Sequence, residues 1–172
     1  MARNVEIKAR CSDFKTLEAT LKRKRAKYVG VLRQVDTYFK VPSGRLKLRE
    51  LSKTNGELIR YERADESGPK LCSYSILPTD KPAELKQLLS GTLGILGVVK
   101  KTRRLYLIGQ TRVHLDQVQN LGKFLELEVV LKKGQGIADG KRIAMHLLSE
   151  IGLRPNTLVP GSYIDLLVRY DK

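Results

Sequence analysis

The 172-residue sequence has no tryptophan, only two cysteines, and no apolar run of the roughly 18 residues that a membrane-spanning helix requires. Aromatic residues make up 6% of the chain, which offers little of the stacking surface that binders of single-stranded nucleic acids use. Cys11 and Cys72 could form one bridge at most, and no secretory leader precedes them, so we expect two reduced thiols in a cytoplasmic protein. The sequence therefore excludes a disulfide-rich secreted scaffold and a membrane-spanning helix.

Positive charge, in contrast, is abundant. Lys and Arg number 33 against 18 Asp and Glu, which gives a net charge of +15. Such an excess favours a polyanionic partner, which could be a nucleic acid, an anionic membrane or a phosphate-rich small molecule. Hydrophobic residues make up 41% of the chain, enough for a core. The length fits one domain, which we expect to span residues 1–172.

Alternation of apolar and charged residues predicts that most of the chain forms strands. Within residues 3–10, for example, Val5 and Ile7 lie on one face of the strand and Glu6 and Lys8 on the other. About eight strands are predicted, at residues 3–10, 31–41, 45–51, 57–63, 71–77, 95–108, 111–118 and 123–131. Because they follow one another mostly as hairpins, they favour an antiparallel α+β domain that could close into a barrel.

Helical spacing of apolar residues appears in three places. We expect one helix to start after Ser12 as its N-cap and to reach Tyr28. A short helix should begin at Pro82 and end near Gly91. A third should cover residues 137–151.

Charged residues dominate the second face of nearly every predicted strand. Lys47 and Arg49 share one face, and so do Glu126 and Glu128. An open sheet with one solvated face would show the same alternation. However, like charges placed opposite one another destabilise a sheet, and here they recur from strand to strand. A closed barrel would collect them around one wet lumen, which would need an anion for the cations and a divalent metal for the carboxylates.

Six motifs occur in an order and at a spacing that resemble one known family. These motifs are Asn4-Val5-Glu6-Ile7-Lys8; Asp36-Thr37-Tyr38-Phe39; Leu46-Lys47-Leu48-Arg49; Lys101-Thr102-Arg103 with Tyr106; Asp116-Gln117-Val118 leading to Phe124-Leu125-Glu126-Leu127-Glu128; and Ser162-Tyr163-Ile164-Asp165-Leu166-Leu167. Together they resemble the CYTH superfamily, the triphosphate tunnel metalloenzymes. The last motif resembles the tail of the class IV adenylate cyclase branch, which lies close to thiamine triphosphatases.

The resemblance implies an α+β fold, an eight-stranded antiparallel closed β-barrel or tunnel with flanking helices. It also implies a triphosphate partner and a divalent cofactor, Mg²⁺ or Mn²⁺. Carried over position by position, the predicted phosphate-binding residues are Lys8, Lys47, Arg49, Arg63, Lys101, Arg103 and Arg112, and the predicted metal ligands are Glu6, Asp116, Glu126 and Glu128. Arg matches phosphate with paired donors, and hard cations prefer carboxylate oxygens, so the division agrees with the chemistry of the residue types.

Two positions stand apart from the pattern. Asn4 occupies the place where the signature has its first Glu, so one negative charge is missing and an inactive triphosphate-binding descendant is an alternative. His114 falls on the inferred lumen face, where it is a candidate acid–base group; a polar wall residue without chemistry is an equal alternative.

Three functions remain open at this point. Water attacking the terminal phosphorus would hydrolyse an inorganic or organic triphosphate such as thiamine triphosphate, which is the favoured hypothesis. A ribose hydroxyl attacking the α-phosphorus would convert ATP to cyclic AMP and pyrophosphate. The third alternative is a non-catalytic protein that binds a triphosphate or an RNA 5′ end. The charge of +15 and the basic run over residues 22–27 motivate it, although we favour a solvated helix face as the explanation of that run. The oligomeric state stays open, with a homodimer as one alternative.

Overall fold

Eight antiparallel strands close into a barrel in the computed structural model, which describes residues 2–64 and 68–170. The strand order around the barrel is β1-β5-β4-β3-β2-β6-β7-β8, and β1 closes it by pairing with both β5 and β8. The strands are β1 (Ala2–Arg10), β2 (Lys27–Phe39), β3 (Arg45–Ser52), β4 (Asn55–Arg63), β5 (Lys70–Thr79), β6 (Ile95–Ile108), β7 (Thr111–Val118) and β8 (Gly122–Val130). The predicted closed barrel with flanking helices is therefore confirmed.

Four α-helices flank the barrel among the described residues: α1 (Phe14–Arg23), α2 (Pro82–Leu93), α3 (Ile137–Ile151) and α4 (Tyr163–Tyr170). A short 3₁₀ turn (Pro155–Thr157) precedes α4. The third predicted helix coincides with α3, and α2 runs two residues beyond the predicted Gly91. No helix within residues 2–64 and 68–170 is both long enough and apolar enough to cross a membrane.

The first predicted helix was wrong at both ends. Asp13, not Ser12, is the N-cap, because its carboxylate accepts hydrogen bonds from the backbone N–H groups of Lys15 at 2.8 Å and Thr16 at 3.2 Å. The helix ends at Arg23, and Arg25 then adopts the left-handed conformation with φ 55°. Tyr28 consequently lies in β2 rather than on the helix.

Helix α4 was not predicted, although its start carries a recognisable signal. The Ser162 N–H donates to Asp165 Oδ2 at 2.6 Å, and the Asp165 N–H donates to Ser162 Oγ at 3.4 Å. This reciprocal pair, a Ser followed three residues later by an acid, is the pattern of a capping box. Arg45 of β3 also binds Asp165, at 2.9 Å, which ties the helix to the barrel.

The outer side of β1, β7 and β8 is apolar and carries most of the hydrophobic core. Val5 and Ile7 point outward and are buried beneath α1 and α3. Gly140 lets α3 approach closely, since a Cβ at this position would lie 2.5 Å from Val5 Cγ2. With the apolar face of these strands used against the helices, the alternate charged residues point into the barrel.

A second apolar cluster closes one end of the barrel. It joins Tyr163 and Ile164 of α4 to Tyr38, Val99 and Phe124, which lie at the same end of their strands. Gly97 makes room for the helix, since a Cβ there would lie 2.5 Å from Ile164 Cδ1. The interior therefore has a floor, formed by this cluster, and a mouth at the opposite end.

Candidate functional site

The interior of the barrel holds a cavity of about 350 Å³. Every predicted phosphate-binding residue lines it: Lys8, Lys47, Arg49, Arg63, Lys101, Arg103 and Arg112. Of the predicted metal ligands, Glu6, Glu126 and Glu128 line it as well, and so do Asn4 and His114. The structure thus brings together residues that lie more than 100 positions apart in the chain.

Three of the cations surround a single carboxylate, Asp36 of β2, and we call these four residues the Asp36 cluster. Lys47 Nζ lies 2.9 Å and Lys101 Nζ 2.7 Å from Asp36 Oδ2, and Arg49 Nε lies 2.9 Å from Oδ1. Burial alone would raise the pKa of Asp36, but the charges of Lys101, Lys47 and Arg49 hold it well below its ordinary value. Asp36 therefore stays ionised and fixes the three cations along one wall.

Lys101 is the member of this cluster whose protonation is most finely balanced. Its burial lowers the pKa from 10.5 to about 7; Asp36 opposes that change, while Arg49 and Lys47 reinforce it. Lys47 shows the same direction, a pKa lowered by burial and by Arg49. Lys101 therefore loses its charge as the pH rises through about 7, and the basic wall becomes less positive over that range.

The adjoining wall carries His114 of β7 and Glu126 and Glu128 of β8, which we call the carboxylate–histidine cluster. His114 Nδ1 lies 3.5 Å from Glu126 Oε2 and 3.7 Å from Glu128 Oε1. One donor atom from each residue falls within 4.8 Å of the other two. These residues form a candidate metal site, because carboxylate oxygens and an imidazole nitrogen are common ligands of divalent cations.

Cations also contact these carboxylates. Lys8 Nζ lies 3.2 Å from Glu126 Oε1, and Arg112 Nη2 lies 2.7 Å from Glu128 Oε2. Burial would raise the pKa of Glu126, but Lys8, His114 and Arg103 hold it well below its ordinary value. Burial would likewise raise the pKa of Glu128, but His114 and Arg112 lower it.

Glu6 on the adjacent strand β1 belongs to the same wall. It lies directly across from Glu128 in the sheet and forms an ion pair with Arg63 of β4. Asn4 follows on the same inward face, and its Oδ1 is buried without a hydrogen-bond partner among the described residues. Buried polar atoms normally have partners, so Asn4 Oδ1 and the clustered carboxylates are chemically suited to receive a divalent cation.

Asp116, the fourth predicted metal ligand, lies outside the cavity lining. It is fully buried behind Arg103, which donates to its two oxygens at 2.7 and 2.6 Å. Tyr163 Oη donates to Asp116 at 2.8 Å, and Arg103 Nη2 reaches on to Glu126 at 2.7 Å. In this arrangement Asp116 orients Arg103 toward the carboxylate–histidine cluster.

Sequence reasoning gave no role to Asp36 or Tyr163. The signal for Asp36 was present, since pairing β2 with β3 through the turn at residues 40–44 places it directly opposite Arg49. Tyr163 lies on the floor with its ring centroid 4.1 Å from Lys8 Nζ, a contact that depends on the unpredicted helix α4.

Four apolar side chains lie at the mouth of the cavity. They are Leu32, Leu51, Ile76 and Leu105. Leu105 lies six residues beyond Val99 of the floor along β6, and Leu32 lies six residues before Tyr38 along β2. The cavity is therefore charged in its middle, and its entrance combines these apolar side chains with Glu57 of β4 and Arg112 of β7.

Comparisons with known proteins agree with this architecture. The PH1012 protein of Pyrococcus horikoshii OT3 has a similar structure, with a TM-score of 0.84 and 25% identity over 95% of this chain and 98% of that one. A "putative adenylate cyclase" of Vibrio parahaemolyticus gives 0.81 at 16% identity, covering 96% and 97%. A "putative adenylyl cyclase" of Hippeastrum, described as having a dominant triphosphatase activity, gives 0.66 at 12% identity, covering 100% and 97%.

No curated protein matches the sequence. The CYTH domain profile, in contrast, matches residues 2–163, which is nearly the whole chain. The closed barrel and its inward-facing charges agree with the motifs on which the resemblance was first recognised. The chain therefore belongs to the CYTH domain family.

Proposed function

We propose that this protein binds a triphosphate together with a divalent cation inside the barrel and hydrolyses the triphosphate. One observation carries the proposal: seven cationic side chains from five strands share a cavity of about 350 Å³ with three clustered acidic residues. Charges buried at this density need partners of opposite sign, and a metal–triphosphate complex supplies both kinds.

The shape of the cavity favours a small polyanion over a long one. Tyr163 and its neighbours form a floor beneath the charged residues, so an extended nucleic acid strand has no continuous groove to follow. The terminal phosphates of a triphosphate can reach the middle of the barrel from the mouth. An RNA 5′ end is a weaker candidate, because binders of single strands rely on exposed aromatic platforms.

The two walls suggest a division of labour. The Asp36 cluster presents Lys47, Arg49 and Lys101 for phosphate oxygens, with Arg63, Arg103, Arg112 and Lys8 reaching the same volume from other strands. Glu6, Glu126 and Glu128 would hold the cation, with Asp116 behind them orienting Arg103. A divalent cation, when bound, neutralises charge on the phosphate oxygens. The lysines and arginines stabilise the remaining negative charge and align the phosphorus for attack by water.

The four apolar side chains at the mouth favour a second candidate substrate, an organic triphosphate. A base or another ring attached to the α-phosphate would lie among Leu32, Leu51, Ile76 and Leu105 while the phosphates occupy the charged middle. This arrangement also admits the cyclase reaction, in which a ribose hydroxyl attacks the α-phosphorus of ATP.

One experiment separates these functions. Metal-free protein is supplied with Mg²⁺ or Mn²⁺ and with inorganic triphosphate, thiamine triphosphate or ATP, and phosphate, pyrophosphate and cyclic AMP are resolved. We expect metal-dependent phosphate release. Cyclic AMP would establish the cyclase reaction, and tight metal-dependent binding without turnover would establish a binding protein. Absence of metal-dependent binding to any of the three compounds would overturn the proposal.

Adjacent lysines on β6 provide a matched control. Lys101 points into the cavity and is buried, whereas Lys100 is exposed on the outside of the barrel. Lys101→Met should weaken triphosphate binding, and Lys100→Met should leave it unchanged. Equal losses in both variants would attribute binding to the overall charge of +15 rather than to the cavity.

A further inference from the structure

His114 occupies a position that neither phosphate binding nor packing explains. It lies on β7 directly across the sheet from Glu126 on β8, and Glu128 follows two residues later on the same face. The imidazole is 3% exposed and lines the cavity. Because side chains alternate along a strand, all three point to the same wall of the interior.

The distances in this cluster are longer than hydrogen bonds. His114 Nδ1 lies 3.5 Å from Glu126 Oε2 and 3.7 Å from Glu128 Oε1, whereas a hydrogen bond to nitrogen normally spans about 2.7–3.2 Å. Nδ1 has no hydrogen-bond partner among the described residues. Ligand atoms about 2.0–2.2 Å from a common ion lie roughly 3.0–3.6 Å from each other, so the 3.5 Å separation suits a shared cation and the 3.7 Å separation would have to shorten slightly when the ion binds.

The neighbouring ligands point to a particular class of cation. Asn4, on the inward face of β1 beside Glu6, contributes a neutral amide oxygen instead of a carboxylate. Mg²⁺ prefers oxygen ligands. An imidazole nitrogen raises the affinity of a site for divalent first-row transition ions, and this affinity increases along the series that starts at Mn²⁺. An imidazole together with two carboxylates therefore shifts the preference away from Mg²⁺.

We propose that His114 ligates a divalent cation through Nδ1 together with Glu126 and Glu128, and that the site consequently prefers Mn²⁺ and later first-row ions over Mg²⁺. The inference rests on the proposed function, since it specifies the cation of that site. It assigns His114 to holding the ion rather than to moving protons during hydrolysis.

The chain provides its own control, because His146 is the only other histidine. It lies on α3 with its side chain 75% exposed, 3.6 Å from Glu150. His146→Gln therefore removes a surface imidazole beside a carboxylate without touching the interior. His114→Gln replaces the buried imidazole by a side chain of similar polarity that offers no ring nitrogen.

The decisive measurement is electron spin echo modulation of Mn²⁺ bound to the whole protein. We expect a directly bound nitrogen to couple to Mn²⁺ in the wild type and in His146→Gln, and the coupling to disappear in His114→Gln. Labelling histidine with ¹⁵N should change the coupling. Bound Mn²⁺ without nitrogen coupling in the wild type would overturn the inference, whether or not His114→Gln folds.

Competition between cations measures the preference itself. In titration calorimetry His114→Gln should lose about tenfold or more in Mn²⁺ affinity, because even disturbing the orientation of a metal-bound histidine has an effect of that size. Its Mg²⁺ affinity should change by less than about threefold. Equal losses for the two ions would contradict the preference. His146→Gln should leave both affinities unchanged.

The two proposals can fail separately. Nitrogen coupling in a protein that binds no triphosphate would support the metal site and refute the proposed function. Metal-dependent triphosphate hydrolysis without nitrogen coupling would support the proposed function and refute the role of His114 as a ligand. If hydrolysis is then lost in His114→Gln at unchanged Mn²⁺ affinity, His114 is an acid–base group instead.

Discussion

The two walls of the cavity solve the problem of buried charge in opposite ways. In the Asp36 cluster three cations share one fully buried carboxylate, so the wall as a whole is positive. In the carboxylate–histidine cluster two carboxylates lie side by side, and each is also held by a cation, Lys8 or Arg112. Arg103 binds Glu126 of this cluster and also the buried Asp116, so one guanidinium connects the two carboxylates.

The two walls differ in the kind of ligand that each can accept. The positive wall has more cations than carboxylates and can accept an anion without losing Asp36, because Asp36 lies behind the cations rather than among the cavity-lining residues. The carboxylate–histidine cluster presents its carboxylate oxygens to the cavity, where a metal could bind them. Mutations confined to one wall should therefore have separate effects on folding, metal binding and phosphate binding.

The largest effect is expected from removing the charge of Asp36. Asp36→Asn removes the carboxylate that three buried cations share and leaves only Glu57, 3.9 Å from Arg49, among the described residues; breaking buried ion pairs in this way costs about 3–5 kcal/mol of folding free energy. Urea unfolding should show this loss, and inorganic triphosphate should restore part of it by binding the cations. Asp80→Asn, at an exposed position, is the control and should change the unfolding free energy by less than about 0.5 kcal/mol. Normal stability of Asp36→Asn would mean that the wall is not held by Asp36.

Glu126→Gln tests the acidic wall and should act on turnover. The variant removes one proposed ligand charge, and we expect kcat/KM for the triphosphate to fall about 10²–10³-fold, as when a preorganised electrostatic contact is lost. Glu62→Gln, on the outside of β4, is the matched control. Kinetics at saturating Mn²⁺ would sharpen the comparison. A variant that keeps activity within about threefold would place the metal elsewhere.

The pH dependence of triphosphate binding should show a smaller difference between the two walls. A bound anion favours protonated Lys101, whose pKa is lowered to about 7 in the free protein. Raising the pH above about 7 should therefore weaken triphosphate binding by up to about tenfold per unit until Lys101 deprotonates in the complex as well. Lys101→Arg keeps its charge and should flatten the profile. The measurement is calorimetric affinity between pH 6 and pH 9, with Lys100→Arg expected to reproduce the wild-type slope.

Tyr163→Phe should have the smallest effect. It removes one hydrogen bond to Asp116 but leaves both Arg103 contacts and the ring above Lys8 in place. Losing one hydrogen bond to a charged group typically costs about 1.5–3 kcal/mol, less than we expect for Asp36→Asn, and urea unfolding can resolve it. A loss as large as that of Asp36→Asn would show that the floor, rather than the Asp36 cluster, carries the stability of the interior.

The sequence predicted the barrel well because each strand is constrained on both faces. The strands at residues 95–108 and 111–118 were predicted at the bounds that the structure shows. In residues 111–118 Val113 and Leu115 alternate with Arg112, His114 and Asp116, so the period of two is strong, whereas residues 95–108 were predicted from a long run of β-forming residues. The end of α1 was harder to predict, since the chain leaves the helix at Arg25 through a conformation that residue type alone does not favour.

Residue roles were less predictable than positions. The motifs identified the residues that line the cavity, but Asp116 and Glu126 carry the same charge and face the same interior in the sequence pattern. Only the structure distinguishes them, because Arg103 covers Asp116 and leaves Glu126 at the surface of the cavity. Which carboxylate is reachable depends on the length and direction of a neighbouring side chain, and strand periodicity carries no such information.

The floor built by α4 has a kinetic consequence. Because this floor closes one end of the barrel, a triphosphate and the products of its proposed hydrolysis would share the mouth as their common route, past Leu32, Leu51, Ile76 and Leu105. Under the proposed hydrolysis, released phosphate that stays bound to the arginines would compete with the next triphosphate, and turnover would slow as phosphate accumulates.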